Sequence, residues 1–68
     1  MKLSRENTEI RNQSHEMWAE GMEDFEPSKT EIKSFLLSLG YISHVTDIFY
    51  DDMQKVYRWN ADISNIIS

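Results

Sequence analysis

Pro27 is the only proline in the chain, and the residues after it read as the start of a helix. Ser28-Lys29-Thr30-Glu31 has the form of a capping box. The Ser28 hydroxyl can accept from the amide of Glu31, while the Glu31 carboxylate reaches back to the amide of Ser28. Ile32, Phe35, Leu36 and Leu39 follow at helical spacing, and Gly40 supplies the residue that commonly lets a chain leave a helix. Proline also disfavours helical geometry at the residue before it, Glu26. The chain therefore divides at Pro27, and neither part contains a repeat or a low-complexity tract.

The two parts differ in charge. Residues 1–27 carry seven acids against three bases, and residues 28–68 carry five against four, which together give the formal net charge of −5. Sixty-eight residues with 40% hydrophobic content are enough for one small core. Cysteine is absent, which removes disulfides, cysteine-ligated zinc and thiol chemistry. The opening Met1-Lys2-Leu3-Ser4-Arg5-Glu6-Asn7 lacks the apolar run of a signal peptide, and no stretch reaches the roughly 20 apolar residues of a membrane span. The expectation is a cytoplasmic protein with no membrane association.

In residues 1–27, Ile10, Met17, Trp18, Met22 and Phe25 fall on one stripe of a helix covering about residues 6–25. The spacing predicts an acidic amphipathic N-terminal helix, with Gly21 inside it at a cost of roughly 1 kcal/mol relative to alanine. Beyond Gly40, Ser43 can cap a helix that buries Val45, Ile48 and Phe49. Asp51 or Asp52 can cap a third carrying Val56 and Trp59, and Ile63, Ile66 and Ile67 suggest a closing helical turn. No Asn-Gly or Asp-Gly hairpin signal occurs, and period-two alternation is read as too short-lived for strands. The fold class expected is all-α, a small bundle of four to five short helices. It divides into an N-terminal helix over 1–27 and a core over 28–68.

Val45-Thr46-Asp47-Ile48-Phe49-Tyr50-Asp51-Asp52-Met53-Gln54-Lys55-Val56-Tyr57-Arg58-Trp59 is similar to the Cro/C1-type helix-turn-helix of phage and plasmid regulators. Val45-Thr46 takes the place of the opening pair, Ile48-Phe49 the apolar pair and Tyr50 the turn position. Asp52 takes that of the cap, Val56 the buried anchor and Arg58-Trp59 the closing pair. With the helix upstream, the resemblance covers residues 28–61. It implies a transcriptional regulator that binds double-stranded DNA, as a monomer or a homodimer. Met53, Gln54, Tyr57 and Arg58 would then face outward, with Gln54 and Arg58 as base-reading residues and Lys55 and Lys29 on phosphates.

Charge argues for a second expectation. Between residues 41 and 68 only Lys55 and Arg58 are basic, against Asp47, Asp51, Asp52 and Asp62, whereas DNA binders rely on basic side chains that displace counterions. The alternative is a small acidic inhibitor or adaptor that docks on a protein with a basic surface. Trp18, Glu20, Met22, Glu23, Asp24 and Phe25 would form its binding surface. No catalytic constellation is expected. His15 and His44 complete no metal site, there is no glycine-rich phosphate loop, and no cofactor is implied.

Overall fold

The capping box forms as the sequence predicts. In the computed structural model, which describes residues 3–66, the Ser28 hydroxyl accepts from the Glu31 amide at 3.1 Å and Glu31 Oε1 accepts from the Ser28 amide at 3.1 Å. They open α1, Lys29–Ser38. Gly40 follows with φ +97°, a left-handed conformation that glycine adopts without a Cβ penalty. Its amide donates to the Leu37 carbonyl at 3.0 Å, closing the last turn.

Most of the other described residues are β-structure. Two strands precede the helix, β1 (Thr8–Gln13) and β2 (Glu16–Glu23), and two follow it, β3 (Tyr41–Asp51) and β4 (Val56–Asn65). A single 3-10 turn at Arg5–Asn7 leads into β1. All neighbouring strands are antiparallel, in the order β1-β2-β4-β3. Because β2 pairs with β4, residues on both sides of Pro27 share one sheet. The expected all-α bundle is therefore overturned, and with it the helix over residues 6–25 and the helix-turn-helix.

Each correction has a local cause. The stripe of Ile10, Met17, Trp18, Met22 and Phe25 mixes residues from both faces of the β1–β2 hairpin with Phe25 from the connection beyond it. That hairpin closes through Ser14 and His15, with Ser14 at φ 60°, so a two-residue turn forms without the Asn-Gly pair that usually marks one. In the second hairpin Lys55 takes φ 61°, and the Asp51 carboxylate accepts from the amides of Met53 and Gln54 at 2.9 and 3.0 Å. Asp51 thus organises a turn rather than capping a helix. Residues 57–64, Tyr-Arg-Trp-Asn-Ala-Asp-Ile-Ser, alternate apolar and polar over their whole length, and this is the strand signal that the helical reading passed over. Ile63 is buried on β4 and Ile66 lies just beyond that strand. Ile67 falls outside the described residues.

β3 contains a bulge: Val45 pairs with Ala61 and Asp47 with Asn60, leaving Thr46 as the extra residue. The Thr46 hydroxyl donates to the Asn60 carbonyl at 3.2 Å. The core lies between one sheet face and α1, which rests on β3. Ile32 and Leu36 from the helix meet Ala19, Val45, Trp59, Ala61 and Ile63 from the sheet. Phe35, Leu39, Met17, Tyr41 and Ile48 extend it as partly buried neighbours. Pro27 is fully buried where β2 turns toward the helix. After β4, the Ile66 amide donates to the Gly40 carbonyl at 3.1 Å, tying the end of the sheet to the helix exit. No helix among the described residues is long and apolar enough to cross a membrane.

Candidate interaction surface

Among the described residues one helix covers one face of the sheet, and the other face is left open. Successive side chains of a strand point to opposite faces, and the register sorts them. Ala19, Trp59, Ala61 and Ile63 point to the helix. On the open face the first row runs Phe49–Arg58–Met22 across β3, β4 and β2. The second runs Asp47–Asn60–Glu20–Glu9 and the third His44–Asp62–Trp18–Arg11, both across all four strands. Phe49 is exposed, while Trp18 and Met22 are half-buried.

Acidic groups outnumber basic ones on this face. Glu9, Glu16, Glu20, Asp47, Asp51 and Asp62 share it with only Arg11 and Arg58, and both guanidinium groups are engaged. Arg11 Nε donates to Glu20 Oε1 at 3.1 Å, and Nη2 donates to Glu9. The Glu9 and Glu20 carboxylates raise the Arg11 pKa further, so it stays charged. Arg58 Nε donates to Asp51 Oδ2 at 2.8 Å. The Arg58 guanidinium, helped by the Gln54 and Met53 amides, holds the Asp51 carboxyl below the ordinary aspartate value. The remaining lysines among the described residues lie elsewhere, Lys29 and Lys33 on α1 and Lys55 in the β3–β4 turn.

A shallow groove of about 330 Å³ crosses the open face. Glu9, Arg11, Glu20, Met22, Phe49 and Arg58 contribute to its walls. Its lining combines carboxylates and two guanidinium groups with the apolar side chains of Met22, Phe49 and Trp59.

The opposite face carries a different polar feature. Glu23 ends β2 on the helix side and is only 2% exposed. Its Oε2 accepts from Trp59 Nε1 at 3.3 Å. Burial pushes the Glu23 carboxyl above the ordinary glutamate value and the nearby Asp24 charge adds to this, while hydrogen bonds from Trp59 and Asn7 oppose it. No cation pairs with it among the described residues.

The sequence-selected residues separate accordingly. Trp18, Glu20 and Met22, at spacings of two, come together on the open face. Glu23 is buried on the other side, and Asp24 and Phe25 lie in the connection to α1. Of the proposed DNA-reading set, Met53, Gln54 and Lys55 lie in the exposed β3–β4 turn and form no recognition helix. Tyr57 faces the helix side and packs edge-on against Tyr50, with ring centroids 4.9 Å apart. Arg58 is held by Asp51. Double-stranded DNA therefore loses the structural element that supported it as a partner. Asp47, Asp62 and Phe49 join the surface, although sequence spacing did not single them out as binding residues. Their signal was the alternation within β3 and β4.

Among the described residues no group of three histidine or carboxylate side chains is placed to hold a metal ion. His44 lies opposite Asp62 on the open face, and His15 is in the β1–β2 turn. No protein-family model, curated protein or solved structure matches this chain.

Proposed function

We propose that this protein is a small acidic binding module that docks the open face of its sheet on a basic surface of another protein. One observation carries the proposal. The face left uncovered by α1 gathers the carboxylates of Glu20, Asp47 and Asp62 around Trp18 and Met22, with its two guanidinium groups already paired internally. Half-buried aromatic and methionine side chains supply contact area, and the surrounding carboxylates select partner charge and accelerate encounter. Face-to-face contact between two copies would oppose like charges. A nucleic acid would meet carboxylates where it needs lysine and arginine.

The test is a titration of ¹⁵N-labelled protein with a lysine- and arginine-rich helical peptide that also carries leucine. A glutamate-rich peptide of the same length serves as control. The expected result is amide shifts centred on Trp18, Glu20, Met22, Asn60 and Asp62 with the basic peptide alone, weakening as salt is raised. A variant carrying Glu20→Lys, Asp47→Lys and Asp62→Lys loses this response. A charge-matched variant carrying Asp24→Lys, Glu26→Lys and Asp52→Lys retains it. Equal loss in both variants, or shifts centred on α1, would overturn the assignment.

A further inference from the structure

The sheet has two outer edges, and they are not alike. β3 is interrupted by the bulge at Thr46, a feature that blunts an edge against pairing. β1 has none. It runs Thr8-Glu9-Ile10-Arg11-Asn12-Gln13 without bulge, proline or lysine, and among the described residues nothing pairs with its outer side. Such an edge is a template for another strand.

The hairpin fixes which backbone groups are free. β1 and β2 are joined by a two-residue turn, with Gln13 opposite Glu16. Residues flanking such a turn exchange hydrogen bonds, and the pattern then alternates. Gln13, Arg11 and Glu9 therefore spend their amides and carbonyls on β2. Those of Ile10 and Asn12 point outward, as does the Thr8 carbonyl, while the Thr8 amide already donates to the Arg5 carbonyl. A second strand can bond only to these groups, which restricts the registers available to an antiparallel partner.

From this geometry we infer that β1 pairs with β1 of a second copy, antiparallel about a two-fold axis at Ile10, to give a continuous eight-stranded sheet. In that register Ile10 meets its own equivalent, Thr8 meets Asn12, and Glu9 stands opposite Arg11 twice over. The arrangement is isologous and closed. Moving the register by two residues either way places Glu9 opposite Glu9 or Arg11 opposite Arg11, and like charges directly opposite destabilise a pair of strands. The charge order of β1 thus selects one register among those the backbone permits. Ile10 is 37% exposed on the helix-side face, so the same register covers a large apolar side chain that the single chain leaves wet. A six-residue edge buries less than the roughly 1,200 Å² at the lower end of stable interfaces. The dimer is accordingly concentration-dependent. It would set two acidic open faces side by side in one sheet, facing the same way.

Sedimentation of the full chain from micromolar to millimolar concentration tests the inference without any partner protein. The expected mass rises toward that of two chains. Glu9→Arg or Arg11→Glu alone places like charges opposite and weakens association about tenfold or more. The double variant Glu9→Arg/Arg11→Glu restores it, because the exchanged pair is again complementary and position 9 faces Glu20 within the chain. Circular dichroism of each variant separates loss of pairing from loss of fold. In a mixed-label sample, intermolecular contacts link residue 9 of one copy to residue 11 of the other. A chain that stays monomeric at millimolar concentration would overturn the inference, leaving the edge for a different polypeptide. So would a dimer whose double variant behaves like the single ones.

Discussion

The indole of Trp59 lies over Gly21, its partner across β2 and β4: a Cβ at position 21 would sit 2.3 Å from indole Cε2 and Nε1. The absence of a side chain there lets the indole lie flat on the sheet and present its N–H to Glu23. Gly21→Ala is therefore expected to destabilise the fold by about 1–3 kcal/mol, the usual range for overpacking a filled core. Trp59→Ala should cost about 3–5 kcal/mol. Urea unfolding followed by far-ultraviolet circular dichroism reads both. A Gly21→Ala variant as stable as the parent would show that the indole has room to move.

Glu23 sets a pH dependence whose sign runs against the usual behaviour of carboxylates. Its folded pKa is raised, chiefly by burial. Between the ordinary glutamate range and the raised value, the folded state binds more protons than the unfolded state, so stability falls as pH rises through that window and is level above it. Glu23→Gln keeps an acceptor for Trp59 Nε1 and removes the buried charge. It should raise stability at neutral pH and flatten that slope, both measurable by thermal unfolding across a pH series. Lower neutral-pH stability in the glutamine variant would contradict the role of burial.

Asp51 gives the opposite slope. Its folded pKa is lowered, first by Arg58 and then by the Gln54 amide. The stability it contributes is present above the ordinary aspartate range and is lost as pH falls through the lowered value. Asp51→Ala should also cost more than Arg58→Ala, because it releases the amides of Met53 and Gln54 as well as the ion pair. Amide hydrogen exchange in the β3–β4 turn distinguishes the two. Equal protection of Met53 and Gln54 in both variants would show that the turn forms without the carboxylate.

The two tryptophans report on opposite faces. Trp59 is fully buried and Trp18 is half-buried on the open side. Acrylamide should quench the Trp59→Phe variant, which retains Trp18, more strongly than the Trp18→Phe variant. Adding the basic peptide should shield Trp18 and leave Trp59 unchanged. Trp18→Ala should cost less stability than Trp59→Ala, because Trp18 is only half-buried, yet lose most of the peptide response.

The helix was legible because its signals are local. Ser28, Glu31 and Gly40 act through hydrogen bonds and dihedral angles within a few residues, and α1 occupies the expected stretch. The sheet depends on contacts between distant residues. Trp59 is buried because Gly21 lies opposite, and neither position shows this alone. On β2 the inward residues after Met17 are small or acidic, Ala19, Gly21 and Glu23, while the outward ones include Trp18 and Met22. A strand with its largest apolar groups on the solvent side resembles an amphipathic helix more than a half-buried strand. On β4 the alternation from Tyr57 to Ser64 was legible, and the helix-turn-helix resemblance displaced it by matching residue types without their backbone geometry. For the candidate surface, Trp18, Glu20 and Met22 could be selected from sequence, whereas Asp47, Asp62 and Phe49 needed the pairing register.

The extra residue at Thr46 has a consequence for what the open surface contains. Before it, odd-numbered positions of β3 point toward the helix, as Ser43 and Val45 do; after it, even-numbered ones do, as Ile48 and Tyr50 show by their pairing with Trp59 and Tyr57. The strand carries two inward patterns of opposite parity, and one unpaired residue brings them into step. A strand of the same sequence with Thr46 paired as an ordinary ladder residue could keep Val45 in the core only by turning Ile48 into solvent. To keep Ile48, it would have to expose Val45. The bulge at Thr46 therefore decides that Asp47 and Phe49 reach the same surface as His44, and a chain without Thr46 would present that surface from an unbroken ladder, with Val45 opposite Ala61 and Asp47 opposite Asn60 as now.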